Sequence, residues 1–100
     1  MSKVDEKIEV ENVNTPGRTS RVNKAKYTAM RQAILKVMPK GQPGISTEEG
    51  KAKLLPYLPE DLFPGGEKAG WWMKTVQLDL EAKRLLGRAN TKPLTFYKVD

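Results

Sequence analysis

The chain has 100 residues and a formal net charge of +6, with neither His nor Cys. That length makes one domain with a modest core, and the missing residue types exclude disulfides, thiol or Ser-His-Asp chemistry and the usual zinc site. No apolar run is long enough for a membrane span and the charged start MSKVDEKIEVEN has no signal-peptide core, so the expectation is a cytoplasmic, non-enzymatic protein without cofactor, metal or membrane partner.

Charge is unevenly spread. Arg18, Arg21, Lys24, Lys26, Arg31, Lys36 and Lys40 lie in a stretch without a single acid, and the last third of the chain is again basic. Blocks of one sign point to an anionic partner, with a solvated surface as the alternative.

Residues 1–6 read as a flexible tail. Residues 7–22 allow an N-terminal β-hairpin packed on the domain. Ile8 and Val10 alternate with charges, Thr15-Pro16-Gly17 suits a type II turn, and Arg18–Val22 returns as a second strand. Asn23 is a good N-cap for a first helix over Lys24–Met38, whose apolar stripe is Tyr27, Met30, Ile34, Val37 and Met38, with Pro39 and Gly41 as its stop. Ile45 suits a lone short strand. Ser46 and Glu49 have capping-box spacing for a second helix that carries Leu54 and Leu55 and ends near Pro56. Residues 58–66 form a Pro/Gly-rich connector, long for a helix-turn-helix, whose Leu58, Leu62 and Phe63 should tuck onto the core.

The third helix is expected over EKAGWWMKTVQLDLEAKRL. At about 100° per residue, Ala69, Trp72, Met73, Val76 and Leu80 form one apolar stripe. Trp71, Leu78, Ala82 and Leu85 form a second, nearly opposite, which must be covered by the N-terminal hairpin, the connector or another subunit. Trp72 reads as core. Trp71 either packs on Leu62 and Phe63 or serves as a stacking or interface residue. Gln77, Asp79, Glu81 and Lys83 read as polar flanks, and the carboxylate pairs Glu48/Glu49, Glu60/Asp61 and Asp79/Glu81 as solvated. A hairpin follows: LLGRA, the turn Asn90-Thr91-Lys92-Pro93, then LTFYKV.

A helix ending in VQLDLEAKRLLGRA and running into the strand LTFYKV resembles the winged helix-turn-helix superfamily, over roughly Lys24 to Val99. Narrower segments, NTPGRTSRVNKAKYTAMRQAIL and LFPGGEKAGWWMKTVQLDLEAK, are similar to a small uncharacterised bacterial family of the domain-of-unknown-function type. The superfamily resemblance implies an α+β winged-helix domain over residues 23–100, with three helices and a C-terminal β-hairpin wing, to which the residues themselves add the N-terminal hairpin as a possible extra element. It also implies double-stranded DNA as partner, often bound by a homodimer, in a transcriptional regulator. Base-edge contacts would fall to Lys74, Thr75 and Gln77, with Lys68 beside them on the first turns of the third helix. Phosphate contacts would fall to Arg18, Arg21, Lys24 and the wing pair Arg88 and Lys92. Glu81, on the same flank, would oppose phosphate. The competing expectation is a non-catalytic protein–protein module whose interface is Trp71, Leu78, Ala82 and Leu85.

Overall fold

A computed structural model describes residues 6–99 of the chain. Among these residues the elements run β1 (Lys7–Glu11), β2 (Thr19–Asn23), α1 (Lys24–Val37), β3 (Ile45–Ser46), α2 (Thr47–Leu54), α3 (Ala69–Ala82), β4 (Leu86–Ala89) and β5 (Thr95–Lys98). The fold is α+β. β1 and β2 form a two-stranded antiparallel sheet, and β3, β5 and β4, in that order, form a second antiparallel sheet. Among the described residues no helix is long and apolar enough to cross a membrane. Of the expected tail only Glu6 falls among the described residues. Its carbonyl accepts from the Lys24 N–H at 2.8 Å and its carboxylate lies 3.5 Å from the Lys24 ammonium.

The N-terminal hairpin forms because alternation and turn chemistry agree. Arg18 N–H closes the turn onto the Thr15 carbonyl at 3.1 Å, and Gly17 adopts φ 87°, which a type II turn requires at that place. Ile8 faces Val22 in the register, and Val10 and Val22 are buried. Both helix caps read from the sequence are realised. Asn23 Oδ1 accepts from the Lys26 N–H at 3.0 Å, and Ser46 Oγ from the Glu49 N–H at 3.2 Å. α1 buries Tyr27, Met30, Ala33 and Ile34. α2 passes after Leu54 into a 3-10 turn containing Pro56. In the connector Phe63 is buried and Leu58 and Leu62 are half-buried against the core.

α3 is shorter than its apolar pattern, and both ends have a cause in the backbone. Lys68, its N-cap, sits in the left-handed region at φ 59°, so Glu67 and Lys68 precede the helix rather than begin it. At the other end Arg84 N–H bonds the Glu81 carbonyl at 3.0 Å and Leu85 N–H bonds the Leu80 carbonyl at 2.8 Å. These are the paired bonds of a Schellman stop, with Arg84 at φ 62° where glycine is the usual residue. Leu85 therefore lies beyond the helix.

Met30, Ile34, Leu54, Val76 and Leu80 have no exposed surface and form the centre of the core, between α1, α2 and α3. β1 packs on another side of α3, so the protein's own hairpin covers part of the second apolar stripe. Leu78 is buried there, and Ala82 and Leu85 are half-buried. Trp71 escapes this cover at 57 % exposure. It does not pack on Phe63, whose ring instead meets Trp72 edge-on with centroids 6.3 Å apart.

Three residues read as solvated flank are inside. Asp79 has no exposed surface, and Gln77 and Glu81 are buried. Asp79 joins three elements: Oδ1 accepts from the Glu11 N–H at 2.8 Å, while Oδ2 accepts from the Tyr27 hydroxyl at 2.5 Å and from the Lys83 ammonium at 2.9 Å. A hairpin docked on α3 buries whatever faces it, and Asp79 is tolerated there because all its donors are supplied.

Candidate nucleic-acid interface

α3 is embedded along its second half. From Val76 to Glu81 every residue is buried. Only the first turns project, presenting Gly70, Trp71 and Lys74 as exposed residues and Thr75 as half-exposed. This projecting end is a ridge between two clefts.

On one side a groove of about 550 Å³ separates α3 from the start of α2 and from the β4–β5 hairpin. Thr47, Glu48 and Lys51 of α2 form one wall, Gly70, Met73, Lys74 and Gln77 of α3 the floor, and Arg88, Pro93, Leu94 and Phe96 the far wall. Gly70 lies close to the Lys51 ammonium: a Cβ there would sit 3.6 Å from Lys51 Nζ, an ordinary contact. Lys51 and Lys74 make no ion pair among the described residues.

Arg88 is held differently. Its Nε donates to Glu81 Oε1 at 2.9 Å and an Nη to Oε2 at 3.1 Å. This is a bidentate pair with a mostly buried carboxylate, and the guanidinium lies 5.4 Å over the Phe96 ring. The pair neutralises the acid that would have opposed phosphate, and it occupies the guanidinium expected to contact it. Gln77 is buried rather than presented. Its Nε2 donates to Glu81 Oε2 at 3.4 Å, and its Oε1 has no hydrogen-bond partner.

On the other side of the ridge a cleft of about 350 Å³ lies between α3 and the N-terminal hairpin. Trp71, Thr75 and Leu78 contribute from α3, and Val10, Glu11, Arg18 and Ser20 from the hairpin. The Trp71 ring stands edge-on to Trp72, with centroids 5.1 Å apart and planes at 81°.

The expected contact residues are thus regrouped. Lys74, Gln77 and Arg88 share the groove, and Trp71, Thr75 and Arg18 share the cleft. Lys68, at the N-cap of α3, and Lys92, between β4 and β5, are exposed and line neither the groove nor the cleft. Arg21 is exposed opposite Glu9 in the hairpin register, and Lys24, paired with Glu6, lies in a separate depression along α1. Lys51 and Leu94 went unread in the sequence. Thr47 and Lys51, four apart on one helix face, are the signal that could have revealed the α2 wall.

The packing of Tyr27 and Lys83 around Asp79 leaves an electrostatic mark. Burial raises the Tyr27 phenol above its ordinary value, and the hydrogen bond and charge of Asp79 raise it further, with Lys83 opposing. For Lys83 burial acts to lower the ammonium, but the hydrogen bond and charge of Asp79 prevail and the net shift is upward.

The fold and the ridge define a small α+β protein with a basic, aromatic-bearing helix end flanked by two hairpins. A family of unknown function (DUF6958) matches residues 7–96, and the chain belongs to it. The match runs from the first residue of β1 into β5, so the N-terminal hairpin lies within the family's region. No curated protein and no solved structure matches the chain.

Proposed function

We propose that the protein is a winged helix-turn-helix DNA-binding protein of the transcription-regulator type, with α3 as its reading helix and the β4–β5 hairpin as its wing. The observation that carries this reading is the exposed end of α3. It is the part of the helix left uncovered, and it carries Lys74 and Thr75 with Lys51 alongside and, among the described residues, no acid pairing with either lysine. Supporting it is the strand order, in which a short strand between α1 and α2 pairs with the last strand of the C-terminal hairpin. Entry of the first turns of a helix into the major groove is the habit of this class.

The roles are redistributed among the residues. Lys74 and Thr75 take the base edges, and Lys51, Lys68 and Lys92 take phosphates. Arg88 braces the wing through Glu81, and Gln77 supports the floor of the groove. The alternative, a protein-interaction module on the second stripe of α3, has little surface to use, because of that stripe only Trp71 is exposed.

The test is a salt titration of binding to a mixed-sequence duplex. Removing one phosphate contact lowers the slope of log K against log salt by about 1. Lys51→Ala should do so, while Lys36→Ala, on α1 and outside the groove, should leave the slope unchanged. Absence of binding at low salt would overturn the reading. A slope untouched by Lys51→Ala would overturn the role given to Lys51.

A further inference from the structure

We infer that the cleft between the N-terminal hairpin and α3 receives a single unstacked nucleobase, with Trp71 as its stacking platform. The inference rests on the nucleic-acid reading above but concerns the other side of the ridge and a different form of the ligand. Trp71 is 57 % exposed, whereas Trp72 beside it is buried and itself meets the buried Phe63. The exposed ring leans edge-on against a packed aromatic side chain and leaves π-surface open at the projecting end of α3. Leu78 and Val10, both buried, supply apolar surface elsewhere in the cleft. An aromatic face with an apolar counterpart is how proteins hold an extruded base.

The polar groups select the ligand further. Arg18, exposed and without an ion pair among the described residues, lines the cleft and fits the phosphate of the same nucleotide. Ser20 offers a hydroxyl to a base edge. Glu11 also lines the cleft. A carboxylate there disfavours phosphate beside it and accepts from an exocyclic amino group, as acidic side chains do from cytosine. The base enters, its phosphate stays at Arg18, and adenine or cytosine is preferred over thymine. A stacked duplex hides the base faces that Trp71 needs, so the ligand is a single strand or an unpaired nucleotide within DNA.

The experiment is a titration of the full chain with dye-labelled oligo-dC, oligo-dA, oligo-dT and a mixed-sequence duplex, with affinity read from the anisotropy of the label in every variant and stacking from tryptophan quenching in the unmutated chain. It is repeated with Trp71→Ala, Trp71→Phe and Arg18→Ala, with thermal melts confirming that each variant folds. Single strands should quench the signal, dC and dA more tightly than dT. Trp71→Ala should weaken single-strand binding roughly ten-fold or more, with Trp71→Phe retaining much of the affinity. Duplex bound with no response to single strands, or single-strand affinity untouched by Trp71→Ala, would overturn the base cleft and leave the duplex reading standing. Failure of every nucleic acid to bind at low salt would overturn both.

Discussion

Asp79 is the residue on which two parts of the molecule depend. Its carboxylate takes one donor from β1, one from α1 and one from its own helix. Replacing it with Ala strands the Glu11 N–H and the Tyr27 hydroxyl together, and breaking a buried charged cluster from one side costs about 3–5 kcal/mol. Tyr27→Phe removes one hydrogen bond to a charged group and should cost about 1.5–3 kcal/mol. Lys83→Ala should cost less than about 1 kcal/mol, because the lysine is partly solvated. Urea unfolding of the three variants gives the order directly, and a larger loss for Lys83→Ala than for Tyr27→Phe would contradict the assignment. The pH dependence has a definite sign. Tyr27 and Lys83 both hold their protons more tightly folded than unfolded. The stability they contribute is whole below the unfolded tyrosine value of 10.0 and is lost as pH rises through the higher folded values. Thermal melts between about pH 9 and about pH 11 should show this fall, and Tyr27→Phe should flatten it. None of this was legible in the sequence. Asp79 lies between two apolar stripes, and helical periodicity alone places such a residue on a wet flank until the covering element is known.

At the scale of elements, legibility followed local chemistry. Asn23, Ser46 and the Pro16-Gly17 turn fix their own surroundings through short-range hydrogen bonds, so both caps and the first hairpin could be read from spacing. Ile45 as a strand could also be read. The stop of α3 could not, because its Schellman bonds close over Arg84 and no glycine advertises them. The same held for the fate of the second stripe, which depends on β1 arriving from far along the chain. One glycine decides whether the second sheet closes. Gly44 adopts φ 79°, and a Cβ there would lie 1.9 Å from the Phe96 carbonyl oxygen. Gly41 adopts φ 74° with nothing within 4 Å. Gly41→Ala should therefore cost only the left-handed backbone penalty of about 1–2 kcal/mol. Gly44→Ala should cost clearly more, with exchange of the β3–β5 amide protons accelerated by NMR. Equal costs at the two sites would mean that the close approach to Phe96 carries no energy.

Across the whole molecule, the candidate interface comes from how deeply α3 is embedded, a property of no single residue. The radius of gyration is 13.3 Å, about that of a compact domain of this length. The core is therefore small, and one helix must serve it from two sides. α1 and α2 take one side of α3, the N-terminal hairpin the other and the C-terminal hairpin its end, which leaves the first turns as the free part. The sequence showed which residue types stand there, Lys74, Thr75 and Trp71, because they follow the start of the helix. It did not show Lys51, brought in by the packing of α2, nor the withdrawal of Gln77 and Arg88 into the Glu81 cluster. In both cases the deciding contacts are between distant elements.

The close pairing of Trp71 and Trp72 also has an optical consequence. Two indoles 5.1 Å apart with planes at 81° are near enough for their excited states to mix. Their shared far-ultraviolet transition should split into bands of opposite circular dichroism, superposed on the helical signal. Apparent helicity measured by that method would then be distorted. A melt followed at the split band would report loosening of the start of α3, ahead of or apart from loss of the helices themselves.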